Sequence, residues 1–316
     1  MKQYFSIISK AILRLSIACV IGAWALWMFF TNMRYSIQFT GGMEVVVDQD
    51  LAWSNLDVEL TAALQWKWYE DFNVAIGEKD WFDSVLVQIA VDNDDKVSEV
   101  TETVKQTLLD TNTIASLDDI LESSITWPSI GEYITRTAKN ALIWGMILMA
   151  FYILFAFAGM RELISPLLLG IVTIITMIFD VSIAAGAYGL LMNLNPAVQI
   201  DTIFIIALLT VLWYSVNDTI VIFDRIRENF VEKEKAMEEW RITRKDVFEM
   251  SLWQTMRRSI ATSLSTLLVV VAMYIFGTGI LKMFAFTLGM WVIAGTYSSI
   301  FLAAPFAFIL SNKVSK

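Results

Sequence analysis

Three aspartates interrupt long apolar stretches of this chain, and their positions could support proton chemistry. Asp180, Asp201 and Asp218 each lie within or beside a run of aliphatic and aromatic residues. A charged side chain inside a bilayer costs about 2.5–3.5 kcal/mol on insertion scales, so it persists only where it is paired or hydrated. A carboxylate held in such a place is a candidate for binding and releasing protons.

Asp218 is the strongest candidate because a cation is expected near it. It precedes Asp224, at the end of the fourth apolar segment, by six residues, which corresponds to roughly 9 Å of helical rise. Arg258 opens the fifth apolar segment, and its long side chain could reach further into the membrane. Two interpretations stay open: a static ion pair that fixes helix packing, or a carboxylate whose protonation changes that packing.

Further polar residues accompany this expected pair, and a second acid lies at similar depth. Asp180 is midway along the third apolar segment, so we predict a proton relay of Asp218, Arg258 and Asp180. Residues one helical turn away, or directly adjacent, share or flank the same faces. The supporting polar residues predicted in this way are Tyr214, Ser215, Asn217 and Thr262.

Other uses of these acids are weaker interpretations. An intramembrane aspartyl protease also has acids on neighbouring helices, but one of them lies in a Gly-x-Gly-Asp turn. Neither MIFDVS around Asp180 nor SVNDTI around Asp218 contains that turn. Asp201 follows Pro196 at the start of the fourth segment, where an end-of-helix role is expected. No nucleophile, phosphate loop or other catalytic pattern is visible, so we do not expect an enzyme.

The composition indicates a membrane protein. Of 316 residues 57% are hydrophobic, and the mean hydropathy is +0.59, which is too apolar for a soluble domain of this length. The chain has no histidine and one cysteine, Cys19, inside the first apolar run. A disulfide framework and a cysteine metal site are therefore excluded, and we expect neither a metal nor a cofactor.

Six apolar segments are long enough to cross a hydrocarbon core of ~30 Å as helices. The first follows basic residues like a signal peptide, but it is too long for one, so we predict a retained anchor. The fold class expected is an integral α-helical membrane protein with six transmembrane helices. The segments are Ala11–Phe30, Ala141–Ala158, Leu163–Leu191, Thr202–Phe223, Ser259–Phe276 and Met283–Leu310.

The distribution of lysine and arginine predicts the orientation. Basic residues cluster at the N-terminus, at Arg161, between Arg225 and Arg258, and at Lys313 and Lys316. Six crossings put all of these on one side, which the positive-inside rule assigns to the cytoplasm. The long loop 31–137 then lies outside, with 20 acidic and 6 basic residues. We divide the chain into 1–30, 31–137 and 138–316, with a cytoplasmic loop at 224–257.

The outer loop 31–137 has the size of one small domain. Four strand patterns and two helical patterns alternate along it in the order strand, helix, strand, strand, helix, strand, which predicts a ferredoxin-like α+β domain. Four of its five tryptophans, Trp53, Trp66, Trp68 and Trp81, could contact a polypeptide, although positions in a small core or at the membrane interface explain most of them better. The strands are Met43–Val47, Asp71–Ile76, Val85–Val91 and Ile125–Trp127, and the helices are Val58–Trp66 and Lys96–Leu109.

Four stretches of the chain resemble the SecF branch of the SecD/SecF family, which belongs to the RND superfamily of proton-driven transporters. The resemblance covers the whole topology and is strongest after residue 200. The stretches are FTGG (Phe39–Gly42), YSVNDTIVIFDRIREN (Tyr214–Asn229), RSIATSLSTLL (Arg258–Leu268) and FAFTLGMWVIAGTYSSIFLAAP (Phe284–Pro305).

The resemblance implies a function, a cellular location and a set of partners. Such subunits act with SecD beside the SecYEG channel in the bacterial cytoplasmic membrane, with YidC and YajC as further expected neighbours. They use the proton motive force to help a translocating polypeptide complete its export. Asp218 and Arg258 fall on the family's proton-conducting aspartate and arginine, and Phe39, Thr40, Gly41 and Gly42 form a family motif. Membrane lipids are expected contacts; nucleic acid is not.

The chain also departs from the family pattern. The most consequential difference is Phe179, which stands where the family has histidine, so a relay through that histidine cannot operate here. Trp213 replaces a glycine and is expected to crowd its turn. The remaining differences are Gln38 in place of aspartate and a Val-Gly-Pro stretch that survives only as Trp127-Pro128 with Gly131.

The function expected is therefore that of a SecF-type, proton-driven export subunit. Two alternatives stay open. A non-transporting scaffold could stabilise the translocase or an insertase, with purely structural membrane charges. The second alternative is that the chain is half of an RND-like exporter. Such exporters carry twelve helices and two outer loops in one chain, which counts against this alternative.

Overall fold

The computed structural model describes residues 7–48, 62, 72–79, 82–89, 97–110, 114, 116, 119–158, 165–195, 198–238 and 242–314. Helices dominate it. They are α1 (Ala11–Thr31), the one-turn α2 (Ile37–Thr40), α3 (Val97–Asp110), α4 (Pro128–Ala156), α5 (Pro166–Leu194), α6 (Thr202–Glu238), α7 (Arg244–Phe276), α8 (Gly279–Ser298) and α9 (Ala304–Val314). The strands are β1 (Gly42–Asp48), β2 (Phe72–Lys79), β3 (Phe82–Ile89) and β4 (Ile120–Thr126).

Six helical spans are long and apolar enough to cross a membrane, as the sequence predicted. Five of them are α1, α4, α5, α6 and α7. The sixth is composite: α8 continues through a π-helical turn, Ser299–Ala303, directly into α9. The chain is therefore a multi-pass helical membrane protein.

The fourth and fifth spans extend well beyond their apolar parts. Residues 224–257, expected as a cytoplasmic loop, are instead mostly continuations of α6 and α7. Hydropathy marks the part of a helix that lipid can cover, whereas a charged helix in water persists through its own side-chain pairs. Arg225–Glu228 and Arg227–Asp224 are such pairs.

The domain between α1 and α4 is built on a four-stranded antiparallel sheet of order β2-β3-β1-β4. Alternate residues Met43, Val45 and Val47 of β1 face the apolar side of α3, where Val100 and Val104 are buried. Of the predicted helix Val58–Trp66 the structure describes only Ala62, and the tryptophans Trp53, Trp66, Trp68 and Trp81 lie outside the described residues. The ferredoxin-like arrangement therefore stays a prediction.

The helical bundle is organised around α5 and the sixth span, which are its most buried elements, while α1, α4 and α7 lie at its periphery. Two apolar clusters fill the interior. The one near the chain termini includes Phe223, Phe230 and Phe248, and the one nearer the sheet includes Tyr188 and Trp291. The outward faces carry large exposed aliphatic and aromatic side chains, as expected of lipid-covered helices.

The FTGG motif forms the joint between α1, the sheet and α4. Phe39 and Thr40 of the motif are the last residues of α2. Gly41 follows as the C-cap with φ of 75°, a conformation that favours glycine. A Cβ on Gly41 would lie 2.6 Å from the Pro128 Cα, and one on Gly131 would lie 2.9 Å from the Phe39 carbonyl oxygen. The motif is therefore explained by close backbone packing.

Candidate proton-binding site

Asp180 lies in α5, fully buried between the two apolar clusters. Its Oδ2 accepts a short hydrogen bond from the Ser215 hydroxyl of α6 and one of 2.9 Å from the Ser298 hydroxyl of α8. Its Oδ1 has no hydrogen-bond partner among the described residues. An isolated ionised carboxylate in such a medium carries a large desolvation cost, so this pocket accommodates the protonated acid.

Asp218 lies in α6 and is 9% exposed. Its Oδ2 is 3.4 Å from the hydroxyl of Ser299, the first residue of the π-helical turn, and Ser259 of α7 also faces the carboxyl group. Asp180 is near enough for the two charges to repel each other when both are ionised. We call Asp180 and Asp218 the acid pair.

Arg258 does not form the expected ion pair with Asp218. Within the described part of the chain, no nitrogen of Arg258 comes within the 4 Å of an ion pair, and its side chain is exposed. Its charge still acts on Asp218 at longer range. In this structure α7 presents Ser259, and not Arg258, to the acid, and a role of Arg258 in a proton relay stays a prediction.

The structure divides the predicted supporting residues into two groups. Ser215 is buried against Asp180, and the Tyr214 hydroxyl lies 3.0 Å from Thr266 Oγ1, which ties α6 to α7. Asn217 and Thr262 are exposed, and the Thr262 hydroxyl bonds back to carbonyls of its own helix. Neither of these two contacts the acid pair in this chain.

Two departures from the family pattern have local explanations. Phe179 contacts the site of Gly22 in α1, with its ring 3.5 Å from where a Cβ would stand, so it fills a helix–helix contact. Trp213 was expected to crowd its turn, but its side chain is 67% exposed and α6 runs through it without a break. Because most of this side chain points outward, the helical backbone stays regular at Trp213.

The sequence pattern did not single out Ser298 and Ser299 as site residues. Each is fully buried, and each hydrogen-bonds to one member of the acid pair. A π-helical turn begins at this point, and such turns are frequent at functional sites. Two adjacent serines in an apolar span were the only signal.

Asp201 caps α6 and stays at the helix end, as expected. Its Oδ1 accepts a 2.7 Å hydrogen bond from the backbone N–H of Phe204. Burial raises the pKa of this carboxyl, and the Phe204 N–H opposes that rise. Gln38 contacts the same end of α6: its side-chain oxygen accepts hydrogen bonds from the backbone N–H and the hydroxyl of Thr202.

A buried amide pair joins the sheet between α1 and α4 to the segment just before α6. Gln88 of β3 and Gln199 each donate a side-chain N–H to the other's carbonyl oxygen. Gln88 also donates to the Glu44 carboxylate at 2.8 Å, and the Tyr188 hydroxyl donates to the backbone carbonyl oxygen of Gln199 at 2.6 Å. The sheet is thereby fixed to the same helix that carries Asp218.

Removing half of this amide pair is expected to destabilise the protein. Gln199→Leu leaves buried polar atoms of Gln88 unsatisfied, which costs about 1–3 kcal/mol. In a double-mutant cycle with Gln88→Leu, thermal unfolding of the purified protein should reveal a coupling energy of about 1 kcal/mol or more. The exposed Gln106→Leu in α3 is the control. Strict additivity of the two substitutions would contradict the pairing.

Across the described ranges, no three histidine, cysteine, aspartate or glutamate side chains are grouped so that they could hold a metal ion.

Comparison with known families accounts for this architecture. The model of the family described as "Protein export membrane protein SecD/SecF, C-terminal" matches residues 95–313. The chain belongs to the SecD/SecF family. The matched range includes both members of the acid pair, their serine partners and Arg258.

Relatives within the SecD/SecF family extend the likeness over nearly the whole chain. A protein translocase subunit SecF from Rhodothermus marinus is 31% identical over 280 residues, 87% of this chain and 82% of the relative. The SecF subunit of Synechocystis is 28% identical over 309 residues, 94% of this chain and 88% of the relative. The resemblance read from the sequence is confirmed.

Two further comparisons involve SecDF, a longer chain. The protein translocase subunit SecDF of Thermus thermophilus is 29% identical over 291 residues, which make up 36% of its length. The crystal structure of SecDF from that organism, described as a translocon-associated membrane protein, matches 98% of this chain with a TM-score of 0.76 and 26% identity. The present chain spans only 39% of that one.

Proposed function

We propose that this chain acts as a SecF-type subunit of the Sec protein-export machinery. It works as a transport subunit and not as an enzyme. With a SecD-like partner beside the SecYEG channel, it uses the proton motive force to help translocated polypeptides complete export at the outer side of the membrane. Family membership supports the export role, and the acid pair supports the proton coupling.

The observation that carries the proton role is the environment of Asp180. A fully buried carboxyl with two serine hydroxyls on one oxygen and no cation in contact among the described residues is poorly suited to structural ion pairing. Ionisable residues inside membrane spans mark proton and ion pathways more often than packing contacts. A second acid, Asp218, on the adjacent helix gives a proton a next place to bind.

The orientation proposed follows from the positive charges. Both chain termini, and the charged ends of α6 and α7, lie in the cytoplasm of a bacterial cell. The domain between α1 and α4 lies outside the cytoplasmic membrane, where we propose that a ferredoxin-like arrangement contacts the emerging polypeptide. The sheet order β2-β3-β1-β4 is compatible with that arrangement.

Exposed polar residues support a SecD-like partner. Asn217 of α6 and Thr262 and Arg258 of α7 are exposed on membrane-spanning helices, where lipid contact is costly. The SecDF chain contains more than twice the length of this one, so a second half is available to relatives of this type. We propose that a SecD-like subunit covers these residues and places its own polar groups against them.

The path from proton to outer domain runs along α6. Asp218 lies in its membrane part, and its first residue, Thr202, is held by Gln38, while Gln199 just before it is bonded to Gln88 of the sheet. A shift of α6 that follows a change of charge at Asp218 therefore reaches the outer domain through hydrogen bonds. Proton binding and release would in this way move the surface that meets the exported polypeptide.

Reconstitution tests this proposal. The chain, its SecD-like partner and the channel are placed in vesicles, and completion of export of a secreted protein is measured with and without a proton gradient. Because the acid pair is the coupling site, the chain should accelerate completion only while the gradient is present. A proton-conducting uncoupler should remove the gain.

The other outcomes decide against the proposal. Equal acceleration with and without the gradient would show a scaffold that stabilises the translocase or an insertase without using protons. No acceleration in either condition, although the three components co-purify, would remove the export role itself.

A further inference from the structure

Consecutive residues of the sixth span contact the two members of the acid pair. The Ser298 hydroxyl donates to Asp180 Oδ2 at 2.9 Å, and the Ser299 hydroxyl lies 3.4 Å from Asp218 Oδ2. The acids belong to different helices, α5 and α6, so one short stretch of backbone touches both. All four side chains are buried.

The backbone at this point departs from α-helical geometry. A π-helical turn occupies Ser299–Ala303, with Ser298 at its start and α9 directly after it. In an α-helix adjacent side chains point about 100° apart, so only one of two neighbouring serines faces a given helix. Here they face α5 and α6. π-turns are rare and persist where the surrounding contacts hold them.

The hydrogen bonds at Asp180 are uneven. Ser215 and Ser298 both donate to Oδ2, while Oδ1 has no partner among the described residues. A displacement of the π-turn that moves Ser298 away would therefore leave Ser215 as the remaining hydrogen-bond donor to Asp180 among the described residues. The Ser299 contact with Asp218 is long for an O–H···O hydrogen bond, so it has room to shorten when Asp218 is ionised.

We propose that Ser298 and Ser299 are positioning residues that couple the acid pair through the π-turn. When Asp218 loses its proton, its carboxylate draws the Ser299 hydroxyl closer, and the π-turn carries Ser298 with it. The hydrogen bond from Ser298 to Asp180 changes as a result, so the acids change protonation as one unit. Only O–H protons and hydrogen-bond partners change; the serines break no covalent bond. The inference rests on the proposed proton-coupled function.

Few other charged groups face the acid pair. Arg258 acts on Asp218 from α7, and the acids act on each other. The tyrosine of α6 nearest to them, Tyr214, directs its hydroxyl to α7, and Tyr297, next to Ser298, is 39% exposed and lies against Phe301. Arg14 of α1 lies 5.2 Å from the ring centroid of Phe301 in the π-turn, whereas the charges that act on the acid pair itself are those of Arg258 and of the two acids.

Infrared spectroscopy of the complex with its SecD-like partner in lipid vesicles tests the coupling. The C=O stretching band of each protonated carboxyl is assigned by its disappearance in Asp180→Asn or Asp218→Asn, and its amplitude is followed against pH. Ser299→Ala should shift the Asp180 band as well as the pH at which Asp218 loses its proton. Ser298→Ala should shift the Asp218 band as well as the pH at which Asp180 loses its proton. We expect each midpoint to move by about tenfold in proton concentration, as for loss of one hydrogen bond to a charged group.

The control is Ser311→Ala, which removes a buried serine whose hydroxyl donates to the Phe308 carbonyl oxygen of its own helix; neither band should move. If Ser299→Ala alters the Asp218 band alone, or if no protonated Asp180 band exists at any pH, the inference is wrong. Export measured on the same samples separates the two proposals. Loss of proton-dependent export in Asp218→Asn without cross-effects of the serines rejects the coupling, whereas cross-effects with unaffected export reject the proposed function.

Discussion

Replacing Asp218 with asparagine is expected to reduce proton-dependent export to the level seen without a gradient. The amide has the shape of the carboxyl group and can still contact Ser299, which lies 3.4 Å from Oδ2, so the helices should pack as before. It cannot bind and release a proton at any accessible pH. Groups that transfer protons commonly contribute about 10²–10⁴-fold to a rate, and a loss of at least about 100-fold is expected here.

The measurement is the rate at which a secreted protein appears outside vesicles, with and without a proton gradient, at equal amounts of assembled complex. Asp224→Asn is the matched control, since Asp224 lies on the same helix, is exposed and, among the described residues, pairs with Arg227. Its export should be normal. Normal export with Asp218→Asn would remove this residue from the mechanism, and loss of the complex would favour a structural role.

Arg258→Met should have a smaller effect than Asp218→Asn in the same assay. Arg258 acts on the acid only at longer range in this structure, and longer-range charge interactions near solvent are weakened by screening. A loss as complete as that of Asp218→Asn would mean that the two side chains come into direct contact in another state of the cycle.

Replacing Gly186 with valine is expected to separate α1 from α5 and destabilise the bundle. A Cβ at Gly186 would lie 2.5 Å from the Ala25 Cβ and 2.6 Å from its Cα, and backbone cannot move aside as a side-chain tip can. Overpacking of this kind costs about 1–3 kcal/mol and can exceed it. Since the helices touch at backbone distance, we expect the upper end of this range or more.

Thermal unfolding of the purified protein in detergent measures this effect, with a fall in Tm of roughly 5–10 °C expected. Gly145→Val is the matched control: it makes the same change within helix α4, where the nearest atom to a new Cβ is Leu209 Cδ2 at 3.8 Å. Its Tm should stay within the error of the measurement. Equal Tm values for the two variants would show that α1 is not held against α5.

The sequence pattern identified the two aspartates of the site but not the serines that contact them. An acid in an apolar run is visible in the sequence because burial of charge is costly wherever the chain folds, so Asp180 and Asp218 were found directly. A serine in such a run is neutral and small, and packing alone explains most of them. Ser298 and Ser299 differ from other serines only through what they meet in space.

The position of Arg258 relative to Asp218 could not be derived from the sequence pattern. Similar depth on consecutive helices made them natural partners, but depth fixes only one coordinate. The rotation of α7 about its axis presents Ser259 to the acid and leaves Arg258 exposed. The rotation of a helix about its axis depends on the packing of several helices at once, so no local sequence pattern predicts it.

The sequence by itself determined the six spans, the sheet-bearing domain, the depth of the acid pair and the family, because hydrophobic burial and the cost of membrane charge act on each segment separately. Only the tertiary structure decided which groups meet: the serines on the acids, the joint at Gly41, and the amide pair Gln88–Gln199. Those contacts join residues more than eighty positions apart, and helix rotation, helix extension and one π-helical turn together set them.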